Sequence, residues 1–167
     1  IYSGGSATGW LFWNLQWPDT SLAFSLQPAI AHSITGDGAT FFVNSQWSSG
    51  NAVCLWKLTG PRDNNPALTR ASIATGAYFM IGQNVDQPGS ATHIDGGDAR
   101  VMDAVYAQRR VYLTLTSANQ LVGPTESRFV VVKLDVDANT NAWEFVYSSG
   151  AGVYYFYPAI TLLDAFS

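Results

Sequence analysis

Hydrophobic alternation with period two, turn signals at short intervals and the lack of any helical stripe together predict an all-β chain. Successive side chains of a strand point to opposite faces, so alternation marks a strand with one face more deeply buried. Val111, Leu113 and Leu115 alternate with Tyr112, Thr114 and Thr116, and Val130, Val132, Leu134 and Val136 with Phe129, Val131, Lys133 and Asp135. Ala52, Cys54, Trp56 and Leu58 alternate with Val53, Leu55, Lys57 and Thr59 in the same way. Between such runs lie Thr35-Gly36-Asp37-Gly38, Ser48-Ser49-Gly50-Asn51, Arg62-Asp63-Asn64-Asn65-Pro66, Asp95-Gly96-Gly97-Asp98 and Ser148-Ser149-Gly150, all rich in turn formers.

In chain order the pattern predicts strands over 9–17, 27–34, 39–47, 51–59, 69–75, 100–107, 109–117, 127–136, 142–148 and 154–163. Asp37-Gly38 and the Ala107-Gln108-Arg109 junction read as tight hairpin connections, because they are too short for anything else between two strands. A tripeptide recurs: Pro28-Ala29-Ile30 and Pro158-Ala159-Ile160, with Asp103-Ala104-Val105 on a similar strand between them. The strands at Pro28 and at Asp103 each open a set of four, and Pro158 opens the next. The intervals are 75 and 55 residues, and the segment from Ala77 to Asp98 accounts for the difference.

A repeated four-stranded antiparallel unit is the sequence sign of a β-propeller blade. The chain then holds about two and a half blades: 1–26 ends a preceding blade, 27–76 is a blade, 77–98 an insertion, 99–150 a second blade, and 151–167 opens the next. The alternative is a β-sandwich, whose strands are spaced similarly. Such an incomplete ring exposes apolar edges, which implies further blades from a parent chain or from identical chains.

The stretches Gly97-Asp98-Ala99-Arg100-Val101-Met102-Asp103-Ala104-Val105-Tyr106, Arg110-Val111-Tyr112-Leu113-Thr114-Leu115-Thr116, Val131-Val132-Lys133-Leu134-Asp135 and Tyr154-Tyr155-Phe156-Tyr157-Pro158-Ala159-Ile160 resemble uncharacterised bacterial propellers of the sialidase-like (BNR-repeat) superfamily. That resemblance implies architecture and no catalytic residue. The superfamily's Asp-box, Ser-x-Asp-x-Gly-x-Thr-Trp, is approached by Thr35-Gly36-Asp37-Gly38-Ala39-Thr40-Phe41, one residue short.

Composition narrows the function classes. Of 167 residues, 47% are hydrophobic and 12% charged, which excludes a disordered chain. The formal charge is −4 with no basic run, so binding to nucleic acid by phosphate neutralisation is not expected. The uncharged stretches Gly38–Trp56 and Phe145–Leu163 are broken by polar turns and Pro158, and neither reads as a membrane span. Cys54 is the only cysteine, so no internal disulfide or cysteine-rich zinc site is available. The low-charge surface fits an exported, extracellular or periplasmic protein.

Three groups could carry chemistry. His93, Asp95, Asp98 and Arg100 fall within eight residues ahead of a predicted innermost strand that holds Asp103, a set able to bind an anionic sugar or a divalent ion. The plainer alternatives are a polar turn and an Arg100–Asp103 structural pair. Asp135, Asp137 and Asn139 offer oxygens at alternate positions, as calcium loops do, without the closing glutamate; calcium is the one cofactor the sequence suggests. Tyr154, Tyr155, Phe156 and Tyr157, with Trp10, Trp13, Trp17 and Trp47, could supply sugar-stacking rings, Tyr155 and Tyr157 foremost. No Ser-His-Asp spacing, phosphate loop or HExxH motif occurs. The function expected is a non-catalytic module that binds carbohydrate or another surface ligand through its loops. The alternatives are part of a sialidase-like, glycoside-acting hydrolase, or an assembly protein completed by strand pairing between chains.

Overall fold

The computed structural model describes residues 11–32, 38–60, 66–82, 85–121 and 123–163. Trp10, most of the Thr35–Gly38 turn and Arg62–Asn65 lie outside these residues. The described residues form nine strands and no helix: β1 (Gln27–Pro28), β2 (Ile30–Ala31), β3 (Thr40–Ser45), β4 (Ser49–Thr59), β5 (Ala67–Phe79), β6 (Val101–Ala107), β7 (Arg110–Ala118), β8 (Ser127–Asp135) and β9 (Thr140–Tyr147). They build two open sheets, β1-β3-β4-β5 and β2-β6-β7-β8-β9. Every pairing is antiparallel except β2 with β6, where Ile30 lies beside Val105 and Ala31 beside Tyr106 in parallel.

The strand predictions hold from β3 to β9 and fail toward the ends, and the run predicted over 27–34 is split at Ala29 into β1 and β2, which pair in different sheets. Asn14 adopts φ 49°, which breaks the extended run predicted over 9–17, and only an isolated Gln16–Leu22 bridge remains there. The 154–163 segment is not a strand either. Tyr157 has φ 55° and Pro158 has no N–H, and two of its backbone N–H groups bond side chains instead. Tyr157 N–H donates to Thr116 Oγ1 (3.2 Å) and Ile160 N–H to Asp103 Oδ2 (3.0 Å). The fifth strand is longer than predicted because Gly76 does not end it. Its N–H donates to Glu144 Oε2 (2.9 Å), and a Cβ there would lie 2.5 Å from Glu144 Oε1. Gly76 is a site of close approach within a strand. The Gln108-Arg109 turn is as predicted, both residues having positive φ (49° and 61°), as a type I′ hairpin requires.

One core joins the sheets. Phe41, Val43, Val53, Leu55 and Ile73 of the first pack against Val101, Ala104, Tyr106, Leu113, Leu115 and Val132 of the second. The rings of Phe41 and Tyr106 are 4.8 Å apart across it. Which faces meet is fixed by backbone direction. Ala29 N–H donates to Phe41 O (2.9 Å), so the peptide groups of Ala29 point into its own sheet while its side chain enters the core. In β6 the relation is reversed. Tyr106 O accepts from His32 N–H (3.0 Å), so Tyr106 and Ala104 turn their peptide groups toward β2 and their side chains into the core. Val105 then pairs inward with Tyr112, and its side chain points away from the first sheet.

Taking as a sheet's front the face that bears the side chains of innermost-strand residues whose peptide groups point into that sheet, the front of the first sheet packs on the back of the second. Such contact is heterologous and leaves one back and one front unused. The back of the first sheet, with Cys54 and Trp56, is covered by residues 15–26, chiefly Trp17. The front of the second carries Phe129, Trp143, Phe145 and Tyr147. It follows that Ala29 and Ala104 are not equivalent positions of a repeat. They meet from opposite sides of one core, so the tripeptide similarity is out of register by a residue.

Candidate functional site

The loops that enter β6 and join β3 to β4 lie together and are tied by backbone bonds. Ala99 N–H donates to Trp47 O (2.9 Å) and Gly82 N–H to Gly97 O (2.9 Å); the Ser45 hydroxyl donates to Ala99 O (2.7 Å). Tyr78 anchors the β3–β4 turn from beneath. Its hydroxyl donates to Ala52 O (2.6 Å) and accepts from Gln46 N–H (3.0 Å), and burial pushes its pKa up to about 12.

Two concavities of about 840 and 620 Å³ open here, and Trp47, Asp98 and Arg100 line both. Trp47 is the ridge between them, 54% exposed. On one side lie Trp17, Asp19, Leu22, Phe24 and the polar run Gln46, Ser48 and Ser49. On the other lie Met80, Asp95, Met102 and Tyr157. The Arg100 guanidinium is held by both carboxylate oxygens of Asp98 through Nε and Nη2, and stands 5.0 Å from the Phe24 ring centre. Burial alone would raise the Asp98 pKa, but its hydrogen bonds from the Arg100 side chain and backbone outweigh this and hold it below the usual carboxylate range. The same pairing raises Arg100.

Of the seven ligand residues suggested by sequence, the fold brings four together: Asp95, Asp98, Arg100 and Tyr157. Asp95 Oδ1 accepts from Gly97 N–H (2.9 Å), and the Tyr157 ring lies against Gly97. His93 is elsewhere, its Nδ1 3.0 Å from Asp86 Oδ1 on an exposed loop. Asp103 does not pair with Arg100, since its oxygens accept from Ala104 N–H (2.9 Å) and Ile160 N–H. Tyr155 belongs to the front of the second sheet, 5.4 Å from the Tyr147 ring and 6.0 Å from Phe129.

The suggested calcium loop is the β8–β9 hairpin. Asp135 Oδ1 accepts from Asp137 N–H (2.9 Å) and Ala138 N–H (3.0 Å), while Oδ2 meets Arg110 (3.0 Å). Asp137 is paired with Arg109, and Asn139 takes φ 52° in the turn. The two carboxylates thus face arginines and the turn's own backbone rather than a common point. Among the described residues no group of three or more His, Cys, Asp or Glu could hold a metal ion. No described helix is long and apolar enough to cross a membrane.

Phe24, Asp19 and Gln46 were not singled out by the sequence. Phe24 sits in a stretch without periodicity, and only the fold carries residues 15–26 beside the β3–β4 turn. Trp47 had a usable signal, a bulky aromatic inside a Ser/Gly-rich turn. No family model matches the chain, and no curated protein or solved structure shows significant similarity to it, so the sialidase-like propellers gain no support from relatives.

Proposed function

We propose that this chain is an arc of a β-propeller whose loop face binds carbohydrate without catalysis. Three features support the propeller: two four-stranded meanders in the same order, innermost strands running parallel where the sheets meet, and front-on-back stacking, the relation a ring repeats. The segment carrying Pro158-Ala159-Ile160 approaches Asp103 of β6 as a third innermost element would.

The observation that carries the binding reading is Trp47, an exposed ring flanked by a clamped Asp–Arg pair and neutral amide and hydroxyl groups. Sugars are recognised by such rings against their apolar faces and by convergent polar groups around them. Asp98 is kept ionised by Arg100, which suits a permanent acceptor and not a proton donor. That favours binding over glycoside hydrolysis. The low-charge surface still suits an exported module. Titration with a neutral and acidic oligosaccharide panel, followed by tryptophan fluorescence, tests this. Binding is expected, with Trp47→Ala weakening it about tenfold or more. Failure of every sugar to bind would contradict it.

A second reading, assembly between chains, is favoured by the front of the second sheet. Trp143 and Phe145 stack there with centroids 5.8 Å apart, and Trp143 is 50% exposed. Concentration-dependent mass by light scattering decides it.

A further inference from the structure

We infer that the groove takes an uncharged sugar and discriminates against carboxylated ones; this rests on the carbohydrate reading above. The sequence offered Arg100 as a hook for an anionic sugar or as a structural partner of Asp103; the fold pairs it with Asp98 instead. Its fork is engaged by Asp98 through Nε and Nη2, and Asp98 also accepts from Arg100 N–H (3.0 Å). A ligand carboxylate can take the Nε–Nη2 edge only by displacing Asp98 and leaving it uncompensated in a half-buried position, and at Nη1 it meets a guanidinium whose charge Asp98 already balances.

The charge around it points the same way. Asp19, Asp95 and Asp98 line the two concavities against the single guanidinium of Arg100, a formal excess of two negative charges. An acidic ligand would enter against that field. The remaining polar groups are neutral. The side chains of Gln46, Ser48 and Ser49 line the groove beside Trp47, and none bonds another described residue, so their amide and hydroxyls are available to ligand hydroxyls.

The test compares matched ligands by calorimetry on the whole chain: oligosaccharides of glucose, galactose and N-acetylglucosamine, each beside its uronic or sialylated counterpart. The neutral member should bind about tenfold tighter than the acidic one at low salt, with the gap narrowing as salt screens the carboxylates. Asp95→Asn, which keeps an oxygen for Gly97 N–H, removes one of the site's negative charges and should strengthen acidic ligands severalfold, narrowing the gap to the neutral ones. Preference for the acidic member, or an unchanged gap in Asp95→Asn, would overturn the inference while leaving carbohydrate binding intact. Failure of both series would instead remove the carbohydrate reading on which it stands.

Discussion

The two sheets share a meander and a direction, yet their fronts have opposite fates. The front of the first is sealed, Phe41 and Val43 having almost no exposure. On the front of the second, Phe145 and Tyr147 are each 41% exposed, and among the described residues the 155–160 segment lies over another part of that face, lining an open concavity of about 300 Å³ with Thr114, Phe129 and Val131. The Thr114 hydroxyl is buried there without a partner. Stacking in one direction explains the difference: the back of the second sheet seals the front of the first, whereas the front of the second is covered by the 155–160 segment over β7 and left open along β9. A two-fold sandwich would have buried like faces and left none of this kind.

The largest expected effect is at the sealed front. Leu113→Ala, at the centre of the shared core, should cost about 2–5 kcal/mol in chemical denaturation. Phe145→Ala on the open front should cost well under that, about 1 kcal/mol or less. Equal costs would mean the open front is covered in solution.

Behind the first sheet, Trp56 Nε1 donates to Asn44 Oδ1 (2.8 Å) in a fully buried pair. Asn44→Ala leaves that donor unsatisfied but also removes the unpartnered Asn44 Nδ2, so about 1 kcal/mol is expected from the same experiment. Loss of 3 kcal/mol or more would show that Nδ2 is bonded.

Acid and alkali probe the loop face more gently. Because Asp98 is lowered in the fold, the unfolded chain takes up its proton first as pH falls. The stability it contributes is present above about pH 4 and lost below it. Asp98→Asn should flatten that acid limb in denaturation midpoints measured from pH 6 downward. Tyr78 acts in the opposite sense: raised to about 12, it contributes stability below about pH 10 that is lost as pH rises toward 12. Tyr78→Phe should remove this alkaline loss.

Much of the interior was legible because a buried strand writes its faces into the sequence every second residue, as along 111–117 and 130–136. The ends were not, because Trp13-Asn14-Leu15 and Tyr154–Tyr157 have strand-like composition while the breaks are conformational, at Asn14 and Tyr157. The alignment of the tripeptide on β6 slipped by one residue for a related reason. Alanine suits either side of a tight core, so Pro28-Ala29-Ile30 and Asp103-Ala104-Val105 look alike while facing opposite ways. At the site, Asp95, Asp98, Arg100 and Tyr157 were legible from local clustering. Among the rings, Trp17 and Trp47 were named as stacking candidates, but Phe24 was not, since it joins them only through long-range packing.

Nuclear Overhauser contacts between the two sheets test front-on-back stacking most directly. The Phe41 ring should show contacts to Tyr106, and the first sheet's core side chains should reach Ala104 and Leu113, with none to Tyr112, Thr114 or Phe145. Contacts from Tyr112 or Phe145 to Phe41 or Val43 would mean that like faces meet, and the directional stack would be wrong.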